Sequence, residues 1–371
     1  MSSALNLSLS FALLLASAPA CAAGATTDPT LEARIIAMGK VHSASAAQYS
    51  PNGKSIAYIT TLSGSPQAWI IPARGGEPRQ VTTGTDPVSG LRWSPDGKLA
   101  YAVSPGGGYN AQLFLAKPDG RQATRINEGE ANTFPGDFAP DGRYHFRSNA
   151  RSANSTDSWL YDPATGKARI AVEMETVGNI DDMLGHLAVV NRLVTRGNNN
   201  LWLEDLRTHR SMLLTPHMGP AQSTGLFGKD SNIVYIAHNI GRDRMGLGRV
   251  DISADGRSFK RTELAERDDA ELDSFILNDA KSQALLKWNV AGRNELELID
   301  LDSNSRRRRP DAPNELVGSI DFAPDGSRVV MALSGATATS DLWQLDLASG
   351  AYTRLTVSPT EGVDLATLAK P

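Results

Sequence analysis

Cysteine is all but absent from this sequence. Cys21 is the only one in 371 residues, so no intramolecular disulfide can form and a cysteine-built metal centre is excluded. Long apolar runs are missing too, since the stretch Phe11 to Ala16 is far shorter than the ~20 residues that cross a bilayer as a helix, and no membrane span is expected. Charge of one sign is also lacking: 37 Lys and Arg face 41 Asp and Glu, a net −4. Basic residues are concentrated only at Arg306 to Arg309, which leaves no footprint for nucleic acid. No Gly-x-Ser-x-Gly elbow occurs, the turn on which an α/β-hydrolase presents its serine. The six histidines (His42, His145, His186, His209, His217 and His238) are scattered, without the close helical spacing of a metal site. No catalytic residue, metal ligand or cofactor is therefore expected within this chain.

What is present begins with a distinctive first segment. The apolar run Phe11 to Ala16 is followed by the small residues Ala18-Pro19-Ala20-Cys21-Ala22-Ala23, the pattern of a secretory signal. Residues 1–23 are expected to be a signal peptide cleaved after Ala20, Ala22 or Ala23, and residues 24–46 an N-terminal segment. A periplasmic or secreted location follows. The positive n-region is missing, because residues 1–24 hold no Lys or Arg, and lipid attachment at Cys21 is the alternative fate of this segment.

Twenty Pro and 33 Gly recur at regular places. Tyr49-Ser-Pro-Asn-Gly53, Trp93-Ser-Pro-Asp-Gly97, Phe138-Ala-Pro-Asp-Gly142 and Phe322-Ala-Pro-Asp-Gly326 are strong copies of one motif. Weaker copies stand at Phe227-Gly-Lys-Asp230 and Phe275-Ile-Leu-Asn-Asp279. Successive strong copies start about 44 residues apart, and the double gap between Phe138 and Phe227 places a degenerate copy near Met183 to Gly185. In each unit an aromatic ends a first strand and Pro-Asp-Gly makes a tight turn: Pro presets φ, Asp bonds its own backbone, and Gly takes positive φ. A second strand follows, then a polar loop, then a third strand carrying Trp69, Phe114, Trp159, Trp202, Leu298 or Trp343. A short fourth strand closes the unit. Seven such units predict an all-β fold, a seven-bladed β-propeller of four-stranded antiparallel blades over residues 47–371. Helix is expected only near Pro29–Met38.

These repeats resemble the propeller of secreted bacterial serine peptidases of the prolyl oligopeptidase family, of acylaminoacyl-peptidase or dipeptidyl-peptidase type. They are similar, more loosely, to the translocation protein TolB. The resemblance is carried by Gly75-Gly76-Glu-Pro-Arg-Gln-Val-Thr82, Arg92-Trp-Ser-Pro-Asp-Gly97, Leu213-Leu-Thr-Pro-His217, Arg267-Asp-Asp-Ala-Glu-Leu-Asp273, Trp288-Asn-Val-Ala-Gly-Arg-Asn-Glu-Leu-Glu-Leu298 and Ser358-Pro-Thr-Glu-Gly-Val-Asp-Leu365. It implies a non-catalytic propeller that gates substrate for an α/β-hydrolase domain, and that domain is expected to lie outside this chain. The alternative is a free-standing periplasmic binding or scaffold propeller. A propeller enzyme with its own central site is the weakest possibility.

In a four-stranded blade the loops between second and third strands share one face of the disc. Here they are polar and rich in Arg and Asn, which makes Arg196, Arg242 and Arg293 the candidate binding residues. A guanidinium fork suits a carboxylate, brought by a peptide or by a docking α/β-hydrolase domain. Gly106-Gly107-Gly108 is expected to be a permissive turn, Asp181-Asp182 and Glu266 to Asp273 solvated acidic loops, and Arg306 to Arg309 a solvated turn.

Overall fold

The computed structural model describes residues 29–369; the signal segment and Cys21 lie outside the described residues. The expected repeat is realised as seven four-stranded antiparallel sheets, each built from four consecutive strands. The first strands are innermost and line a central channel: Ala44–Tyr49, Val88–Trp93, Thr133–Phe138, Gly178–Leu184, Ser223–Phe227, Glu271–Leu277 and Leu316–Phe322, in blades 1 to 7. The fourth strands form the rim: Arg79–Gln80, Thr124–Arg125, Lys167–Val172, Arg210–Leu213, Phe259–Ala265, Arg306–Arg308 and Tyr352–Arg354. The helix spans Pro29–Met38, as expected. Blade 1 opens at Ala44, and the last strand closes at Arg354.

The Pro-Asp-Gly turns form as read. Gly97, Gly142 and Gly326 take φ of 81°, 86° and 69°, a region open to glycine and costly for other residues. Each turn is locked by its neighbours: in blade 2, Ser94 N donates to Lys98 O at 2.8 Å, and Gly97 N donates to Ser94 O at 2.9 Å. The core lies between blades, where alternate residues of each strand meet the facing sheet. Tyr144 and Phe146 of blade 3, for example, pack on Ala100, Ala102 and Leu113 of blade 2.

No blade borrows a strand from another, so the ring is closed by side chains. Ser319 Oγ and Asp321 Oδ2 of blade 7 accept from Ala47 N and Tyr49 N of blade 1 at 3.0 and 2.7 Å. Gln344 Nε2 donates to the Tyr49 hydroxyl at 2.6 Å. Ala44, Tyr49 and Tyr58 share a buried cluster with Val330 and Leu342. His42 N donates to Pro359 O at 2.9 Å, so both ends of the propeller leave from one face. That terminal face carries the second-to-third strand loops and the blade-to-blade connections. The opposite turn face carries the Pro-Asp-Gly turns.

Three local expectations are corrected. Asp181 and Asp182 are not a solvated loop but part of the inner strand of blade 4, where they accept from Gly225 N and Phe227 N of blade 5 at 3.0 and 2.8 Å. The run Arg306 to Arg309 is not a solvated turn: Arg306–Arg308 is the rim strand of blade 6, with Arg306 bidentate on Glu297 and Arg308 bridging Glu295 and Asp311, and Arg309 just after it is buried. In blade 6 the strand-ending position belongs to Leu277, paired with Ala284, while Phe275 lies two residues back and faces the channel.

Candidate functional site: the terminal face and the central channel

Six of the seven inner strands carry a β-bulge, in blades 1, 2, 3, 4, 6 and 7, and only that of blade 5 pairs without a slip. A bulge inserts an unpaired residue and re-aims side chains. In blades 4 and 6 the inserted residue is Asp181 or Asp273, and both line the channel. In blade 3 the bulge is Pro135-Gly136. Gly136 is required there, because a Cβ would stand 1.9 Å from the His145 carbonyl oxygen.

The channel holds two adjoining cavities. The inner one, about 410 Å³, is lined by residues of blades 2 to 6, among them Arg92, Asp137, His145, Arg147, Asp181 and Thr224. The outer one, about 590 Å³, opens on the terminal face past Asn191, Asn199, Gln222 and Glu271. Arg147, Asn179 and Thr224 border both. Arg92 is paired with Asp137 at 3.1 Å. Burial pushes the Asp181 carboxyl up to about 7, against the hydrogen bonds from Gly225, Asn179 and Asn191 that favour its anion. Burial likewise pushes Asp321 up to about 7 and holds His145 down at about 4. In each case the crowded channel wall disfavours the charged form.

Arg196, Arg242 and Arg293 all fall on the terminal face, on the consecutive blades 4, 5 and 6. Arg196 and Arg293 are exposed, and their guanidinium groups have no acceptor among the described residues. Arg242 is turned back onto its own blade. It donates to His238 O at 2.9 Å, to Arg244 O at 3.0 Å and to Glu263 at 3.1 Å, and it also bonds Glu266. Two of the three arginines are thus free to meet a partner, and the third braces its loop.

The signal that sequence reasoning missed is apolar. Twelve large hydrophobic side chains are exposed among the described residues, and every one belongs to the terminal face or to a chain end leaving it. Leu31, Ile35, Ile36 and Met38 lie on the helix before blade 1, and Val357 and Leu368 on the segment after blade 7. Leu62 and Tyr109 are in second-to-third strand loops, and Val194 is at the end of a second strand. Val177, Met218 and Leu316 stand at or before the start of inner strands. None is on the turn face. Single exposed apolar residues are ordinary, but here they are distributed on one side of the disc, which makes the terminal face a candidate interaction surface.

Among the described residues no serine hydroxyl bonds a histidine ring; the ring nitrogens meet Thr61, Arg207, Thr215, Asn198 and the amide of Ile240, and the carboxylates of Glu263, Asp205 and Glu361 at 3.0, 3.6 and 3.7 Å. No group of three or more His, Asp or Glu is placed to hold a metal among those residues.

No protein-family model matches the chain, and no curated protein matches it. Solved structures do. A prolyl endopeptidase, from a study of inter-domain dynamics in two such enzymes, superposes with a TM-score of 0.69 at 17% identity, covering 88% of this chain and 51% of its own. Prolyl oligopeptidase B from Galerina marginata gives 0.69 at 13% identity, covering 91% and 53%. The β-propeller domain of the Trilobed protease from Pyrococcus furiosus, described as an open velcro, gives 0.66 at 14% identity, covering 86% and 99%. The chain therefore spans about half the length of the two prolyl peptidases and the whole of the isolated propeller. In fold, it is similar to the β-propeller domain of prolyl oligopeptidases.

Proposed function

We propose that this chain is the substrate-gating and docking propeller of a secreted prolyl-oligopeptidase-like serine peptidase, and that its terminal face seats an α/β-hydrolase domain. The observation that carries this reading is the one-sided distribution of exposed apolar residues around the channel mouth and both chain ends. The propeller contributes no reacting group. It restricts access to a catalytic serine by offering a narrow polar channel as the route in. Arg196 and Arg293 add charged contacts at the margin of the docked face. Exposed pairs of this kind are worth only ~0.2–1 kcal/mol each and weaken with salt.

The test adds a separately produced α/β-hydrolase domain of a prolyl oligopeptidase in trans and measures association by titration calorimetry. Binding is expected, with a marked loss in the double variant Ile35→Glu/Met218→Glu and a smaller, salt-sensitive loss in Arg196→Ala/Arg293→Ala. Absence of binding, together with a dimer of this chain that the Glu substitutions abolish, would assign the face to a second copy and overturn the hydrolase reading.

A further inference from the structure

Arg147 is the odd residue of the channel. It lies near the end of the second strand of blade 3, opposite Phe134 of the inner strand, with its guanidinium 4.4 Å from the Phe134 ring centroid. Among the described residues no hydrogen bond or ion pair satisfies its donors. Its neighbour two residues back, His145, points to the same side of the strand. His145 is 5% exposed, lines the inner cavity, and has no side-chain partner for either ring nitrogen. Across the channel on blade 5, Thr224 borders both cavities, and its hydroxyl is likewise unpartnered. A buried polar group without a partner costs stability and is rare unless something else satisfies it. Here His145 is such a group, and the half-buried Arg147 guanidinium and the exposed Thr224 hydroxyl, both also unpartnered among the described residues, line the same cavity.

We propose that the central channel is a binding site for a carboxylate, held by the Arg147 guanidinium with the His145 ring N–H and the Thr224 hydroxyl. The planar fork of arginine matches the two oxygens of a carboxylate, and Phe134 holds the fork from its face. A single negative charge fits this wall better than a phosphate. Asp181, Glu271 and Asp273 also line the two cavities, and their repulsion grows with each added ligand charge. Asp137 does not compete for Arg147, because it is paired with Arg92. Beyond the carboxylate the outer cavity offers the side-chain amides of Asn179, Asn191 and Gln222, groups that both donate to and accept from a peptide backbone. The ligand class is a short peptide read by its carboxylate. This inference does not depend on hydrolase docking, and its test uses this chain alone.

Three probes decide it by titration calorimetry on the purified chain: N-acetyl-trialanine as the free acid, the same peptide as its C-terminal amide, and N-acetyl-Ala-Asp-Ala amide. The free acid is expected to bind about 10- to 100-fold tighter than the trialanine amide, the range for losing a charged hydrogen-bond partner. Tight binding of the Asp-containing amide as well would assign the site to carboxylates of either origin; its failure would restrict the site to peptide C-termini. Arg147→Gln should bring the affinity for the free acid down to that of the amide, and Arg147→Lys should restore part of it. Thr224→Val, a near-isosteric change at the channel surface, should weaken acid binding without moving the melting temperature, and carries the test if Arg147→Gln fails to fold. Equal affinity for acid and amide, no binding of either carboxylate probe, or full affinity in folded Arg147→Gln would each overturn the proposal.

Discussion

Replacing Asp321 with Asn should make the propeller more stable at pH 8 while leaving it unchanged near pH 4. Asp321 Oδ2 accepts the Tyr49 amide across the seam between blades 7 and 1 at 2.7 Å. An Asn side chain offers the same acceptor and has the shape of the protonated acid. Burial raises this carboxyl from 3.8 to about 7, although Arg92 and the Tyr49 amide favour the anion. The folded state therefore keeps a proton that the unfolded chain has lost between about pH 4 and 7. The associated stability is fully present below pH 4 and is lost as pH rises through 7. About three pKa units at 1.36 kcal/mol each set a ceiling of ~4 kcal/mol. Asp321 is only half-buried, and solvent screens its charge, so about 1–3 kcal/mol is the realistic size. Asp181, raised to about 7, acts in the same direction. His145, lowered to about 4, acts oppositely, because the unfolded chain takes up a proton that the folded one refuses. The wild-type profile mixes all three, so the quantity to measure is the difference between Asp321→Asn and wild type, by urea unfolding followed through tryptophan fluorescence at each pH from 4 to 8. A difference that stays constant with pH, or that moves in favour of wild type as pH rises, would refute the argument.

Gly136→Ala should cost more than about 3 kcal/mol, since the added methyl has backbone rather than a flexible side chain in its way; thermal melting reads this directly. Arg242→Ala should lower stability in urea, because it removes a brace between His238, Glu263 and Glu266, whereas Arg196→Ala and Arg293→Ala should stay within about 0.5 kcal/mol of wild type, as surface changes do. The proposed secretion is tested by mass spectrometry of the protein recovered from a secreting host, with a start between Cys21 and Gly24 and no fatty acid as the expected outcome.

The blade count and the turn chemistry were legible because each depends on local residue types repeated at a fixed period. The motif Trp93-Ser-Pro-Asp-Gly97 specifies its turn whatever surrounds it. The channel was not legible, because its residues are set by bulges. Inner-strand alternation predicts which side chains face inward only while the register holds, and a bulge breaks it. Gly90 and Gly136 hint at two of these interruptions, but Asp181 and Asp273 carry no such mark, and Asp181 beside Asp182 read as a solvated loop. Arg147 was invisible for a related reason. It sits on a second strand and reaches the channel past the Pro135-Gly136 bulge. Arg242 was rightly placed in its loop, yet its acceptors Glu263 and Glu266 lie more than twenty residues onward, beyond the range of any local pattern.

The contiguous blades have a consequence for how the molecule is made. Blade 1 leaves the ribosome first and blade 7 last, and the contacts joining them connect positions about 272 residues apart. Bringing such distant points together costs on the order of 5 kcal/mol of chain entropy beyond a constant term, whereas each blade can pair its own strands as soon as they emerge. The disc therefore grows as an open arc whose two ends meet late, and nothing in its hydrogen-bonded sheets records where the chain began. Linking the region of His42 to that of Pro359, whose backbones already touch, and cutting instead in any blade-to-blade connection would yield a reordered polypeptide with every sheet intact.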